Sequence, residues 1–250
     1  MGRADPESAL STARRLYAPV LPAVGVELAL GSDAAQHARV LRLAMGDELE
    51  LFDGRGGSAR ARIARVDRGQ LTCVGITPRV ELVRPYRVTL VQCVPKAGKL
   101  DDLVRMTTEL GVAEIALAYS EHCVVRPSGR DEHKLERLER IAVEAARQSE
   151  QAHVPTISPA APLSEVLARV PTAAYRAACV ERTQRPLPTE LHAQEVWLVI
   201  GPEGGLSAGD RAALSEAKFD SIALGPTILR TETAAVVGVA LALERLGRRC

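Results

Sequence analysis

The order of apolar runs along the chain predicts an α/β protein whose parallel sheet is preceded by a small, mainly β domain. Three observations carry this. Up to about Val83 short β-type pieces alternate with turn residues, and from Tyr86 onward strand-like and helix-like segments alternate instead. The later strands are continuous apolar runs, as expected where helices cover both faces of a parallel sheet. The join falls near "ITPRVELVRPYR", where Pro78 and Pro85 bracket a charged linker, so that residues 1–82 and 83–250 form separate domains.

In the first part the strands are "VELAL", "DELELF", "SARARIARV" and "QLTCVGI", with Asp53-Gly54-Arg55-Gly56-Gly57 as a turn. One helix interrupts them, with Ser32 as N-cap and Val40, Leu41 and Ala44 spaced for one face. A small, mostly antiparallel barrel or sandwich fits this pattern. The second part opens on the strand "RVTLVQCV". A helix through Leu100, Leu103, Val104 and Leu110 follows, closed by Gly111, and then the strand "VAEIALAY". From Asp131 to Gln148, Leu135, Leu138, Ile141, Ala142 and Ala145 make one helical stripe, with Glu136 and Arg140 at the supportive i, i+4 spacing beside it.

Further strands are "TAAYRAACV", "VWLVI" and "SIAL". "VWLVI" runs directly into Gly201-Pro202-Glu203-Gly204-Gly205-Leu206 and a helix capped by Ser207, with Asp210 in the place of the capping-box acid. "SIAL" runs into Gly225-Pro226 and then Arg230, after which Thr231 is the expected N-cap of an apolar helix. Ligands of open α/β sheets bind at the carboxyl ends of strands, so both glycine-proline loops are candidates by position. Glycines that only make tight turns are the competing reading of either loop alone.

Composition narrows the function classes. With 250 residues, 46% hydrophobic, 25% charged and a formal net charge of +1, the chain is ordinary for a globular protein. Only four of its 32 basic residues are lysine. Genomic base composition explains that as well as nucleic acid does. The cysteines Cys73, Cys93, Cys123, Cys179 and Cys250 are odd in number and scattered, and the five histidines lack metal-ligand spacing, so neither a disulfide framework nor a metal site is expected. "MGRADPESALSTARR" contains no apolar core for a secretory signal, and the apolar run Ala234 to Leu243 is too short to span a bilayer. The expectation is a cytoplasmic protein with no membrane partner. A phosphate-binding G-x-x-x-x-G-K-[ST] and a dinucleotide-binding G-x-G-x-x-G after a first strand are both missing.

"IGPEGGLS" at Ile200 to Ser207, "LGPTILRTETA" at Leu224 to Ala234, "TELGVAEI" at Thr108 to Ile115 and "IAVEAARQS" at Ile141 to Ser149 resemble the RsmE family, and "HARVLRLAMGDELELFDGRG" at His37 to Gly56 resembles its N-terminal PUA-like RNA-binding domain. These are SPOUT-class methyltransferases that modify N3 of a uridine in 16S ribosomal RNA. The resemblance implies a PUA-like domain over 1–82 and a SPOUT domain over 83–250 whose end is threaded as a trefoil knot, a rare exception to unthreaded topology. It also implies S-adenosylmethionine bound in a bent form among the knot loops at a homodimer interface. The cofactor would be held by Ile200, Gly201, Gly205, Leu224, Gly225, Ile228 and Leu229, and by the strand end at Cys179. The chain departs from the family at Met106, Leu138, Thr227, His122 and Gln151.

Within that resemblance the residues acquire chemical roles. Uracil N3 is not nucleophilic until its proton leaves, and the resulting charge spreads onto the flanking carbonyl oxygens. A fixed Arg230 guanidinium would stabilise that anion, with methyl transfer in line from sulfur resting on positioning. Glu232 and Glu203 are the carboxylates available for proton removal, by elimination, and Glu232 reads equally well as an acid complementing a helix dipole. In "RGGSARARIARVDR" the alternation of Arg60 and Arg62 with apolar residues makes one strand face basic, and with Arg55, Arg65 and Arg68 it forms a candidate phosphate-binding stripe; a solvated face balanced by Asp53 and Asp67 is the alternative. Aromatics total 3%, so phosphate contacts rather than base stacking would dominate. Lys96, Lys99, Arg126 and Arg147 are further RNA candidates by resemblance and charge. The leading expectation is methylation of uridine N3 in the 16S RNA of the small ribosomal subunit. The alternatives are a SPOUT methyltransferase acting on tRNA or a ribose 2′-oxygen, and a non-catalytic RNA-binding module.

Overall fold

Alternation along the strand from Gly57 to Val66 organises the first of two units. Ala59, Ala61 and Ile63 turn inward and are buried while Arg60 and Arg62 turn outward, as period-two geometry requires. The computed structural model describes residues 14–96, 98–124, 131–180 and 183–247. Its first unit holds the described residues up to Val83 together with Glu150–His153, and its second holds the rest.

Six strands of the first unit form one sheet in the order β1-β3-β4-β5-β2, with β6 beside β4: β1 Arg15–Tyr17, β2 Glu27–Leu30, β3 Glu48–Phe52, β4 Gly57–Val66, β5 Leu71–Gly75 and β6 Val80–Glu81. This is one sheet, not the two stacked sheets of a sandwich. β1 is parallel to β3 and the other strand pairs are antiparallel. Leu16, Leu49, Leu51, Ile63 and Leu71 fill the core. At the β3–β4 turn the fully buried carboxylate of Asp53 accepts from the amides of Arg55 at 2.8 Å and Gly57 at 2.9 Å. Gly56 sits at φ +105, and a Cβ there would lie 2.5 Å from the Leu82 carbonyl oxygen.

Helix α1, Ser32–Val40, corrects one expectation. Its N-cap is Gly31, with no side-chain cap, and its buried residues are Ala35 and Ala38; Val40 and Ala44 are exposed. The helix ends before the periodicity does. Arg42 takes φ +55 and turns the chain so that Leu43 enters the core.

The second unit is a six-stranded, wholly parallel sheet in the order β12-β10-β11-β7-β8-β9. Its strands are β7 Arg87–Cys93, β8 Glu114–Tyr119, β9 Thr156–Pro162, β10 Tyr175–Cys179, β11 Glu195–Ile200 and β12 Asp220–Ile222. The central strands β7 and β11 are buried almost throughout, which is why they read as unbroken apolar runs. The helices are α2 Lys99–Glu109, α3 Asp131–Gln148, α4 Leu163–Leu167, α5 Ala208–Glu216 and α6 Thr231–Gly247. α2 packs on α3 and α6, and α4 on α5.

β9 and α4 carry no clear signal in "TISPAAPLSEVL". Pro159 and Pro162 argue against a strand, yet β9 is an edge strand, where a missing N–H is tolerated. From β7 the chain winds outward through β8 and β9, then crosses back to lay β10, β11 and β12 on the other side of β7. The order therefore reverses between β7 and β11, and the crevice outside their carboxyl ends is the position for a ligand. No helix among the described residues is long and apolar enough to cross a membrane.

Candidate active site

Residues from four strands converge at this switch point. Gln92 of β7 stands in register with Ile200 of β11, which is in register with Cys179 of β10, itself in register with Ile222 of β12. The loop leaving β11 is tightly folded. Gly205 takes φ +70, and a Cβ on Gly201 would lie 3.1 Å from Leu206 Cγ. His122 Nδ1 is 3.0 Å from the Gly204 carbonyl oxygen, so this loop is held from the β8 side. Ser207 then caps α5 in the expected box: its hydroxyl accepts from the Asp210 amide, and the Asp210 carboxylate accepts from the Ser207 amide, both at 2.9 Å.

Two networks tie this loop to the start of α6. In the first, the buried Thr231 hydroxyl donates to the Gly201 carbonyl at 2.7 Å and accepts from Gln92 Nε2 at 3.0 Å; the same Nε2 donates to the Cys93 carbonyl at 2.8 Å. Both neighbours of that amide nitrogen are acceptors, which fixes the orientation of the amide, and Gln92 Oε1 is buried without a partner among the described residues. This corrects the expected role of Thr231. The first α6 hydrogen bond runs from the Ala234 amide to the Arg230 carbonyl at 2.8 Å, so Arg230 occupies the N-cap position and the threonine hydroxyl bridges to Gly201 instead.

In the second network, Lys99 Nζ lies 3.1 Å from Glu203 Oε1 and 3.2 Å from Glu232 Oε2. The Lys96 amide donates to the Glu203 carboxylate at 3.2 Å. Partial burial pushes the Glu203 carboxyl up, but its own backbone amide, the Lys99 ammonium and the Lys96 amide outweigh this and hold it below the usual carboxylate range. The Glu203 and then the Glu232 carboxylate hold the Lys99 ammonium above its usual value.

Ahead of Thr231 and Glu232 in the chain, the loop from Gly225 to Ile228 is exposed and Ile228 is 71% accessible, while Leu224 and Leu229 pack partly against the core. A Cβ on Gly225 would meet nothing within 4 Å, so the backbone borders open space. Arg230 is exposed, and its guanidinium makes no hydrogen bond or ion pair among the described residues. Burial pushes the Cys179 thiol up to about 12, so at neutral pH it is an apolar wall and not a nucleophile.

The candidates for RNA are distributed differently. Arg55 donates to the Pro19 carbonyl at 2.8 Å, and Arg60 and Arg62 share the carboxylate of Glu48. Arg147 is largely buried and paired with Glu144, Lys96 is exposed, and Arg126 lies outside the described residues. Lys99 joins the two candidate bases. A groove between α2 and α3, lined by Arg105, Arg137, Arg140 and Ile141, contains none of the site residues. No group of His, Cys, Asp and Glu among the described residues is placed to hold a metal ion. Sequence reasoning missed Gln92, Thr231 as a bridge, and Lys99 as a clamp. Only Gln92 left a signal, as the amide in the otherwise apolar end of "RVTLVQCV".

Residues 83–243 match the RNA methyltransferase domain family, and residues 30–74 match the RNA methyltransferase PUA domain. The ribosomal RNA small subunit methyltransferase E of Mycobacterium tuberculosis is 33% identical over 89% of this chain and 88% of its own length. The chain belongs to the ribosomal RNA small subunit methyltransferase E family. A member from Rickettsia conorii is 29% identical over 94% of this chain and 97% of its own. Among solved members of the methyltransferase E family, that of Neisseria gonorrhoeae, crystallised with S-adenosylmethionine, superposes with a TM-score of 0.85 at 28% identity, covering 93% of this chain and 97% of that one. A methyltransferase of Legionella pneumophila, also solved with this cofactor, has a TM-score of 0.83 at 28% identity, covering the same shares.

Proposed function

We propose that this protein methylates N3 of a uridine in 16S ribosomal RNA with S-adenosylmethionine as donor, in the cytoplasm and as a homodimer. The observation that carries the reading is Arg230: an exposed guanidinium, unpaired among the described residues, at the end of a turn whose next two residues are tied to the loop after β11, Thr231 directly to Gly201 and Glu232 through Lys99 to Glu203. The residues fit a nucleoside-like cofactor. Gly201 and Gly205 allow the tight turn after β11, Gly225 leaves the backbone bordering open space, and Ile200, Leu224, Ile228, Leu229 and Cys179 offer apolar walls at the switch point. When bound, the cofactor supplies an electrophilic methyl group on a sulfonium.

The protein's own part is to make the base nucleophilic. Arg230 stabilises the negative charge that appears on the uracil carbonyl oxygens as the N3 proton leaves. Glu232, two residues from Arg230, and Glu203, whose carboxyl is held below its usual range, are the two carboxylates available to take the proton, and Glu203 also orders the loop. RNA is held by phosphate contacts from Arg60 and Arg62, with Arg55, Lys96, Arg126 and Arg147 as further candidates. The half-buried Val236, Val237 and Leu241 of α6 are the apolar surface for a second copy, and threading of the chain end through the 201–206 loop belongs to the same reading.

Turnover of Arg230→Ala on small subunits that lack the modification is the test, with cofactor affinity followed by calorimetry. A fall of about 10²–10³ in kcat with cofactor binding retained is expected. Near-normal turnover removes Arg230 from the mechanism, and methyl transfer to tRNA or to a ribose oxygen, read by mass spectrometry of the product, removes the proposed acceptor.

A further inference from the structure

We infer that Lys99 is a positioning residue of this reaction, setting the direction of Arg230 by clamping Glu232 and Glu203 together. The inference rests on the reading of Arg230 given above. Lys99 is the first residue of α2, directly after Gly98 at φ +91, so its backbone is fixed by a helix that packs against α6. A cation there is the wrong sign for a helix start, where the exposed N–H groups favour anions. Asp101 and Asp102 in the same turn obey that rule and Lys99 breaks it. The compensation is the pair of carboxylates, Glu203 from the loop after β11 and Glu232 from the first turn of α6.

Neither carboxylate relies on Lys99 alone. Glu232 lies in the first turn of α6, where an acid is favourable, and Glu203 also accepts from the Lys96 amide. What Lys99 adds is a restraint. Thr231 is bound to Gly201 on one side and Glu232 to Lys99 on the next residue, so two consecutive residues after Arg230 are held from different elements. With the clamp removed, the first turn of α6 keeps one tether, and the backbone that aims Arg230 loses a restraint.

The experiment compares Lys99→Ala and Lys99→Arg in the natural and the Arg230→Ala backgrounds. In the natural background Lys99→Ala should lower kcat by about 10- to 100-fold with KM for the small subunit unchanged within about two-fold, since loss of orientation alone costs this much. Lys99→Arg should recover most of it. In the Arg230→Ala background the same substitution should cost less than about two-fold, because residues acting as one unit are not additive. In cofactor-free protein, exchange of the Ala234 amide should quicken by about ten-fold in Lys99→Ala.

An equal loss of kcat in both backgrounds, or no loss, overturns the inference. So does a raised KM with a salt slope reduced by about one, which would make Lys99 a phosphate contact. If the natural protein transfers no methyl group, the proposed function fails; the Ala234 amide then decides the clamp by itself, and unchanged exchange refutes it. Should Lys99→Ala not fold, Glu232→Gln removes the other end of the clamp and is read by the same amide.

Discussion

Replacing Thr231 by valine removes one hydroxyl with almost no change of shape, and that hydroxyl joins three segments of the parallel-sheet unit. It donates to the Gly201 carbonyl at 2.7 Å and accepts from Gln92 Nε2 at 3.0 Å, and Thr231 is 5% exposed. Gly201 is only half-buried, so water can replace its partner and the net loss there is about 1 kcal/mol. Gln92 is fully buried and carries an Oε1 without a partner among the described residues; it keeps the bond to Cys93 and loses the other, at a further cost of about 1 kcal/mol. A total of about 2 kcal/mol corresponds to a fall in Tm of roughly 4–8 °C for a domain of this size. The two units need not unfold together, so one global signal would mislead. Trp197 is the one tryptophan of the chain and sits buried in β11, so its fluorescence reports the parallel sheet alone. Thr231→Ser, which keeps the hydroxyl and loses a methyl, should be the milder change. A Thr231→Val shift below about 0.5 kcal/mol, well under the cost assigned to an unmade buried bond, would refute the bridging role, as would a serine variant equally damaged.

Gly238→Ala should destabilise the same unit by about 1–2 kcal/mol despite the better helix propensity of alanine, because its Cβ would come within 2.6 Å of Leu198 Cδ2 in the centre of the sheet; a raised Tm would show that Leu198 moves aside freely. Glu203 binds its proton less tightly folded than unfolded, so its contribution is complete above the unfolded value of about 4.3 and vanishes as pH falls through the lower folded value. Glu203→Gln should therefore lose less stability than the natural protein across that acid window, followed by Trp197 fluorescence in denaturant; a steeper acid loss would contradict the clamp. Arg60→Ala with Arg62→Ala should flatten the dependence of RNA affinity on salt by about one to two units of log–log slope, while Glu48→Gln, which releases both arginines, should tighten binding. An unchanged slope would leave the pair as partners of Glu48 and nothing more.

Much of the architecture is legible in the sequence because it follows from local periodicity. Ala59, Arg60, Ala61, Arg62 and Ile63 alternate as a half-buried strand must, and "VWLVI" is apolar throughout because both of its faces are covered. Ser207 and Asp210 announce the start of α5 because a capping box is made within one turn. Where local rules mislead, long-range packing overrides them. Leu43 reaches the core through a left-handed turn at Arg42 and not along the face of α1, and the prolines of β9 are tolerated because that strand has no neighbour on one side.

The candidate site divides along the same line. The two glycine-proline loops and Arg230 can be located from residue order alone, since strand ends and turn residues mark them. That Thr231 reaches Gly201, that Gln92 supplies its second bond, and that Lys99 sits between Glu203 and Glu232 depends on a sheet whose strand order reverses between β7 and β11. Sequence determines which residues are turns, caps and apolar walls, because those properties are set by neighbours a few positions away. Only the tertiary structure decides which charges and hydroxyls meet, because those partners lie on segments far apart in the chain, as Gln92 and Thr231 do.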